Sequence, residues 1–183
     1  NGKSSIADFY FQILNLNKKR VASIGTLGIK TNHSLKSLPN TTIDPIKLSE
    51  ILKNLKKKKI DNVIMEASSH GLKQHRLDGL VFDIGIFTNL SHDHLDYHKN
   101  FADYLNSKLY LFKKLLKRNG NIITDNSIPE FTRIQKISKK KNLKVNLISE
   151  KKKNLGIKII QHDFNGDNQI IHLKYNKLNF KFQ

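Results

Sequence analysis

The chain has 183 residues, of which 38% are hydrophobic, so it is long and apolar enough to fold around a core of its own. It contains no cysteine, which excludes disulfides, thiolate metal sites and a cysteine nucleophile, and it has no apolar run of the roughly 18 residues that a membrane span requires. The formal net charge is +18, but the lysines occur in runs without interleaved arginine or aromatic residues. We therefore interpret the charge as a solvated surface and expect neither a nucleic-acid partner nor membrane insertion.

Hydrophobic periodicity predicts that helices and strands alternate from the start of the chain to residue 148. The first helix begins at Ser4 and Ser5, and its inward face is predicted to carry Ile6, Phe9, Ile13, Leu14 and Leu16. Further helices are predicted at 46–58, 101–118 and 128–140, strands at 20–24, 60–65, 80–88, 122–124 and 145–148, and a loop at 31–42. This alternation predicts an α/β fold with a mainly parallel sheet flanked by helices.

The last part of the chain has a different pattern. Short β-like segments at 157–161, 169–175 and 178–182 surround the turn sequences FNGDN and YNK. They predict a small antiparallel meander at the C-terminal end of the fold.

The first four residues, Asn1, Gly2, Lys3 and Ser4, have the sequence that ends a phosphate-binding loop. A helix is predicted to begin directly after them, which is the context that the motif requires. Lys3 would then reach the terminal phosphates of a nucleotide, and the Ser4 hydroxyl could bind Mg²⁺. The sheet is therefore predicted to be of the P-loop type, although a four-residue match also arises by chance.

Polar residues follow the predicted strand that ends at Met65, at the edge of the sheet where α/β folds bind ligands. Glu66 could hold a metal or a water, and Ser68, Gln74 and Arg76 could bind an anionic ligand. An ordinary polar loop is an equal alternative.

The segment FTNLSHDHLDYH places three histidines after another predicted strand. His92, His94 and His98 could be zinc ligands. Two alternatives remain: loop residues and helix caps, with Asp93 and Asp96 at a helix start, or a single histidine bound to Mg²⁺ beside carboxylates.

Lys108 lies within the apolar stripe of the long predicted helix, whereas Lys113, Lys114 and Lys117 lie outside it. A charged lysine that faces the interior without a partner is unfavourable. Lys108 is therefore either a side chain that reaches past its neighbours to solvent or a lysine held in a site, with its charge compensated or chemically altered.

Together, six stretches resemble the central domain of the Mur ligases in order and spacing, from residue 1 to about residue 116. They are NGKSS, ASIGTLG, NTTIDP, MEASSHGLKQHR, FTNLSHDHLDYH and FADYLNSKLYLF. The tail matches by layout more than by motif. Ile43 and Ala67 depart from the family, which often has proline and valine there.

The resemblance implies a role for each matching residue. Asn1, Gly2, Lys3 and Ser4 correspond to the end of the ATP loop; Asn40, Thr41, Thr42, Ser68, Gln74 and Arg76 to contacts with a UDP-muramyl-dipeptide; and Ser4, Glu66, His94 and Lys108 to the Mg²⁺ site. Lys108 matches a lysine that the family carries in N-carboxylated form. Lys3, His94 and Lys108 are the residues expected to serve catalysis.

The activity that the resemblance implies is ATP-driven amide formation in peptidoglycan precursor synthesis, through an acyl phosphate. The substrates would be UDP-N-acetylmuramoyl-L-alanyl-D-glutamate and a diamino acid, with meso-diaminopimelate expected and lysine as the rival. Residues 1–183 would be a fragment truncated at both ends, inactive alone, without the domains that hold the uridine nucleotide and the incoming amino acid.

The whole enzyme is expected to be monomeric and cytoplasmic. Alternatives are a sibling ligase such as folylpolyglutamate synthetase, a basic nucleic-acid-binding P-loop module and a zinc hydrolase.

Overall fold

The computed structural model describes residues 2–38, 40–91, 96–148, 157–166, 168–175 and 178–182. They form two compact units. Unit 1 comprises Asn1–Val81 and Leu90–Leu115, and unit 2 comprises Phe82–Asn89 and Leu116–Gln183. The predicted α/β class, with parallel strand pairs, flanking helices and an antiparallel C-terminal meander, is confirmed.

Unit 1 is built around a sheet of four strands in the order β3-β2-β1-β4. The strands are β1 (Val21–Gly25), β2 (Gly28–Thr31), β3 (Ser34–Lys36) and β4 (Asn62–Met65). β1 pairs in parallel with β4 and antiparallel with β2, so two strands that run in the same direction lie side by side and end at the same edge. β1 is buried along its whole length.

The helices of unit 1 are α1 (Lys3–Leu16), α2 (Pro45–Lys57), α3 (Ser69–Lys73) and α4 (Phe101–Tyr110), and α4 continues into a π-helical turn, Leu111–Leu115. α1 packs against β1, and α3 packs against α4. None of the helices in the described ranges combines the length and apolar content of a membrane span.

Unit 2 contains a parallel sheet in the order β5-β6-β7, formed by β5 (Phe82–Phe87), β6 (Leu116–Asp125) and β7 (Lys144–Ile148). Helix α5 (Phe131–Lys141) packs on β6 and β7. The meander is formed by β8 (Ile157–Asn165), β9 (Asn168–Tyr175) and β10 (Leu178–Phe182), in the order β10-β9-β8.

The predicted inward face of α1 is partly wrong. Phe9, Ile13 and Leu16 are 61%, 58% and 80% exposed, and the buried side chains are Ala7 and Phe11. Residues 7 and 11 are one helical turn apart and face the sheet. The predicted apolar stripe lies mostly on the other side of the helix. The prediction failed because periodicity identifies an apolar stripe but not the surface that covers it.

Several element boundaries also differ from the predictions, among them the strand predicted at 122–124, which is β6 and spans Leu116–Asp125. The predicted loop 31–42 contains β3, which pairs with β2 in a hairpin. The predicted helix 128–140 begins at Phe131, because Ile128 precedes Pro129 and is therefore disfavoured in helical backbone. The predicted helix 101–118 ends early, since Leu116 pairs with Phe82 as the start of β6.

The start of α2 gives a direct test of a local interaction. Asp44 caps the helix, with its Oδ1 accepting from the backbone N–H of Ile46 at 2.9 Å and of Lys47 at 3.4 Å. We expect Asp44→Ala to lower the free energy of unfolding by about 1 kcal/mol, measured by urea denaturation. Asp61→Ala removes an exposed carboxylate outside the helix and should change it by less than about 0.5 kcal/mol. Equal losses in the two variants would contradict the capping role.

Candidate functional site

A cleft of about 510 Å³ opens in unit 1 beside the carboxyl ends of β1 and β4. Most of the site residues predicted from the sequence line it together: Gly2, Lys3, Ser4, Asn40, Thr41, Thr42, Glu66, Ser68, Gln74, Arg76 and Lys108. Thr26, Ala67, Ser69, His70 and Tyr104 complete the lining. Residues from the start of α1, two strand ends, the 40–42 segment, α3 and α4 therefore meet at one concavity.

Glu66 is the buried acid of this cleft, with 4% of its surface exposed. Its Oε2 accepts from the Ser4 hydroxyl at 2.8 Å and from the Thr26 hydroxyl at 3.2 Å, and its Oε1 accepts from the Thr26 N–H at 2.9 Å. A buried carboxylate needs such donors to compensate for lost hydration. The contacts also connect the first turn of α1 to the ends of β1 and β4.

Glycine at position 25 makes this placement of the carboxylate possible. A Cβ on Gly25 would lie 2.1 Å from Glu66 Oε1 and 2.5 Å from its Cδ, closer than any real contact. At the start of α1, Gly2 has φ +79°, a left-handed conformation that glycine adopts without strain.

The 40–42 segment is locked to α3 through Thr42, which is 3% exposed. Its Oγ1 accepts from the Ser68 N–H at 3.0 Å and lies 2.9 Å from Ser68 Oγ, while Ser68 Oγ also accepts from the Gly71 N–H at 3.0 Å as the N-cap of α3. Arg76 donates to the Thr42 carbonyl at 2.8 Å. Three of the six residues predicted to contact substrate thus also hold the cleft wall together.

Gln74 is oriented by a tyrosine that the sequence did not single out. Its Nε2 donates to the Tyr97 hydroxyl at 2.9 Å. The Tyr97 ring contacts His70, with centroids 4.0 Å apart, and the Lys73 ammonium lies 5.4 Å from the Tyr97 centroid. A residue of the 96–100 segment therefore fixes the orientation of the Gln74 amide.

Lys108 is half-buried at the cleft and lies over an aromatic ring. Its Nζ is 4.9 Å from the centroid of Tyr104, a residue only 2% exposed. His98 stacks on the Tyr104 ring, with the two ring centroids 4.9 Å apart and an interplanar angle of 27°. His98 is 2% exposed, and its Nε2 lies 3.0 Å from the Ser69 hydroxyl oxygen.

Burial lowers the pKa of the His98 imidazole, and the nearby Lys73 ammonium lowers it further. The Asp103 carboxylate, with Oδ2 at 3.6 Å from His98 Nδ1, opposes these effects only in part. Asp103 itself accepts from Lys73, which lowers the pKa of the Asp103 carboxyl. The imidazole is therefore neutral at neutral pH.

Two predicted site residues, Asn1 and His94, lie outside the described residues, as does His92 of the zinc alternative. His98, the third histidine of that alternative, is buried, stacks on the Tyr104 ring and forms a hydrogen bond with the Ser69 hydroxyl. Among the residues that the structure describes, no three His, Cys, Asp or Glu side chains cluster in a way that could hold a metal ion.

Five residues that line the cleft were not among the predicted site residues: Thr26, Ala67, Ser69, His70 and Tyr104. Thr26 directly follows the end of β1, so the rule that ligands bind at strand ends could have identified it. Tyr104 is one turn before Lys108 on α4, but its apolar spacing indicated only core packing. Ser69 gave no local signal, because its contact with His98 spans 29 residues.

The sequence of this α/β domain matches a known protein family. The family description "Mur ligase middle domain" matches residues 1–183, and the chain belongs to the Mur ligase family.

Among curated relatives, the chain is similar to the UDP-N-acetylmuramoyl-L-alanyl-D-glutamate–2,6-diaminopimelate ligase of Buchnera aphidicola subsp. Schizaphis graminum (strain Sg). The two are 39% identical over 160 residues, which cover 87% of this chain and 32% of the relative. A solved structure of a UDP-N-acetylmuramoyl-L-alanyl-D-glutamate–2,6-diaminopimelate ligase superimposes with a TM-score of 0.86 at 27% identity, covering 100% of this chain and 37% of that one. The chain thus spans about a third of the length of these proteins.

A more distant likeness concerns the fold alone. The Mycobacterium tuberculosis folylpolyglutamate synthase, solved with ADP and AMPPCP, has a TM-score of 0.66 at 13% identity, covering 94% of this chain and 45% of that one. The sibling alternative therefore shares the architecture at much lower sequence identity than the muramyl ligases.

Two adjacent threonines allow a matched test of the cleft wall. Thr42→Val keeps the side-chain shape but removes the acceptor for Ser68 N–H, so we expect the free energy of unfolding to fall by about 1–3 kcal/mol. Thr41→Val loses a contact of 3.0 Å with Thr26 Oγ1 at a more exposed position and should cost less than half as much. Urea denaturation of both variants measures the difference, and equal costs would refute the locking role of Thr42.

The low pKa of His98 makes stability depend on pH in a defined window. The unfolded imidazole binds a proton below its ordinary pKa of about 6.5, whereas the folded one resists protonation, so the free energy of unfolding should decrease as pH falls through about 6.5. The Asp103 contribution is lost only near pH 4 and below.

We expect His98→Gln to have a smaller decrease between pH 7.5 and 5.5 than the parent, and His33→Gln, which replaces an exposed histidine between β2 and β3, is the control for the substitution itself. Denaturant titrations at the two pH values provide the measurement. An unchanged decrease in His98→Gln would show that another group is responsible.

Proposed function

We propose that this chain is the ATP-binding domain of a ligase of peptidoglycan precursor synthesis. The reaction proposed is addition of meso-diaminopimelate, as the third amino acid, to UDP-N-acetylmuramoyl-L-alanyl-D-glutamate. The observation that carries the proposal is the meeting of Lys3, Glu66 and Lys108 at one cleft with Thr41, Gln74 and Arg76. The 39% identity to a relative that bears the name of this ligase supports it.

The cleft has the donors that Mg²⁺ prefers. The Glu66 carboxylate and the Ser4 hydroxyl are hard oxygen ligands only 2.8 Å apart, and both line the cleft. Mg²⁺ is usually held by one or two carboxylates together with substrate phosphates and water, so one buried glutamate suits it better than a cage of protein ligands. In this proposal Lys108 in N-carboxylated form and His94 complete the site.

Bound ATP with Mg²⁺ would supply the phosphoryl group that activates the substrate carboxylate as an acyl phosphate. Lys3 and the backbone N–H groups at the start of α1 would hold the phosphates, because a helix N-terminus and a lysine both favour negative charge. Such positive groups stabilise the charge that develops on the transferred phosphoryl group. Asn1 and Gly2 would form part of the same loop.

The opposite wall of the cleft would orient the muramyl substrate. Arg76 can bind a carboxylate or diphosphate, and Asn40, Thr41 and Gln74 can donate to or accept from its polar groups. Thr42 and Ser68 would contribute their remaining hydrogen-bonding capacity while keeping this wall in place. Preorganised binding groups reduce the entropic cost of bringing two anionic substrates together.

Because the chain spans about a third of its relatives, we propose that the uridine nucleotide and the incoming amino acid bind in regions of the whole protein that this chain does not match. The 183 residues alone are expected to lack ligase activity. The whole enzyme is proposed to be monomeric and cytoplasmic.

The proposal is tested by phosphate release from ATP, using the protein with its native flanking sequence. Release should require UDP-N-acetylmuramoyl-L-alanyl-D-glutamate and Mg²⁺, and it should be faster with meso-diaminopimelate than with L-lysine. Lys3→Met should lower the rate by about 100-fold or more, since it removes a positive group from the developing charge.

The control is Lys18→Met, which removes an exposed lysine just beyond the end of α1 and should leave the rate unchanged. Preference for L-lysine would correct the amino acid. Release that depends on a folate substrate, or on neither substrate, would overturn the proposed function.

A further inference from the structure

Thr26 lines the cleft, and the proposed function assigns it no role. It directly follows β1 and contacts Glu66 twice, with its N–H donating to Oε1 at 2.9 Å and its hydroxyl donating to Oε2 at 3.2 Å. The Thr26 hydroxyl oxygen also lies 3.0 Å from the hydroxyl oxygen of Thr41. Thr26 therefore connects the acid of the proposed metal site to the wall that is proposed to bind the muramyl substrate.

The donors and acceptors available determine the order of the hydroxyl protons. A carboxylate only accepts hydrogen bonds, whereas a hydroxyl donates one proton and accepts on two lone pairs. The single proton of the Thr26 hydroxyl is directed to Glu66. The contact between the two threonines therefore uses the proton of Thr41, which donates to Thr26.

This order gives the Thr41 hydroxyl a defined polarity towards the cleft. Because its proton points to Thr26, the Thr41 oxygen presents only lone pairs to a ligand. Such an oxygen can accept from an N–H or O–H group. Against a phosphate or carboxylate oxygen, two acceptors would face each other without a proton between them, which is unfavourable.

We propose that Thr26 is a positioning residue that fixes the Thr41 hydroxyl as an acceptor, and that Thr41 in turn selects an N–H or O–H group of the bound substrate. The inference rests on the proposed function for the identity of that substrate. Arg76 lines the same cleft, and its guanidinium only donates, so it suits the anionic groups that Thr41 rejects. The two side chains together would orient the substrate by the opposite polarity of its own groups.

The kinetic test uses the whole protein at saturating ATP and Mg²⁺. Thr41→Val removes the acceptor and should raise the KM for UDP-N-acetylmuramoyl-L-alanyl-D-glutamate by about 3- to 10-fold, the size of one hydrogen bond, with kcat within about 2-fold. Thr26→Val should raise the same KM by a comparable factor. Thr26→Ser keeps the hydroxyl and should restore the parental KM, whereas a packing role of the Thr26 methyl group would not be rescued by serine.

A double variant separates action through Thr41 from an independent effect of Thr26. In the Thr41→Val protein, the further change Thr26→Val should raise KM by less than about 1.5-fold, because no Thr41 hydroxyl is left to orient. Two factors that multiply, or an unchanged KM in Thr26→Val alone, would overturn the positioning role. The matched control is Thr31→Val, which removes a hydroxyl contact of 2.8 Å with Ser34 outside the cleft and should leave KM unchanged.

A structural measurement distinguishes failure of this inference from failure of the proposed function. Neutron diffraction from deuterium-exchanged crystals of the whole protein, grown without nucleotide or Mg²⁺, shows where the hydroxyl deuterons lie. We expect the Thr41 deuteron to point to Thr26 and the Thr26 deuteron to point to Glu66. A Thr26 deuteron directed to Thr41 would overturn the inference and leave the proposed ligase activity unaffected. Absence of turnover of the muramyl substrate would overturn the proposed function and leave the observed proton order intact.

Discussion

The buried carboxylate of Glu66 is the constraint on which the cleft depends. It has lost its water and is compensated by three donors, from the Ser4 hydroxyl and from the backbone and hydroxyl of Thr26. Those donors belong to the first helical turn and to the segment after β1, so satisfying one charge brings two separate segments together. A carboxylate held in this way keeps its oxygen atoms at a fixed point, and in the proposed function Mg²⁺ would bind there without reorganisation of side chains.

The rest of the cleft follows the same principle, in which groups that could bind a ligand are first bound to one another. Thr42 and Ser68 hold the wall that carries Arg76, and Tyr97 holds Gln74. Conformational freedom is therefore removed during folding instead of during binding, which favours affinity and geometric precision. A Cβ on Gly71 would lie only 2.4 Å from Thr42 Cγ2. The close packing of this wall therefore requires glycine at position 71.

Much of this arrangement could be predicted, because strand ends in an α/β sheet meet at one edge and the polar residues after them are visible in the sequence. The strand-end rule predicts Glu66 and the phosphate-loop motif predicts Lys3, whereas only the resemblance to the Mur ligases implied that both belong to one site. Contacts between distant segments could not be predicted. Leu116 continues the apolar pattern of a helix, yet it pairs with Phe82 and begins a strand. In α1, the predicted apolar stripe includes Phe9, which is exposed, whereas the sheet covers Ala7 and Phe11. The apolar spacing of Tyr104 predicts a core residue, whereas the structure places it in the cleft lining beside Lys108.

The parallel pairing of β1 and β4 determines the face of the sheet on which the Glu66 side chain lies. Ile24 is level with Met65, so the next residue on each strand, Gly25 and Glu66, falls at the same height. Side chains of a strand alternate between faces, and one inserted residue in β4 would turn the acid towards the opposite side of the sheet. Length changes are consequently better tolerated in exposed connections away from the cleft, such as residues 17–20 between α1 and β1. Within β1 and β4, only changes that preserve the number of residues leave the cleft intact.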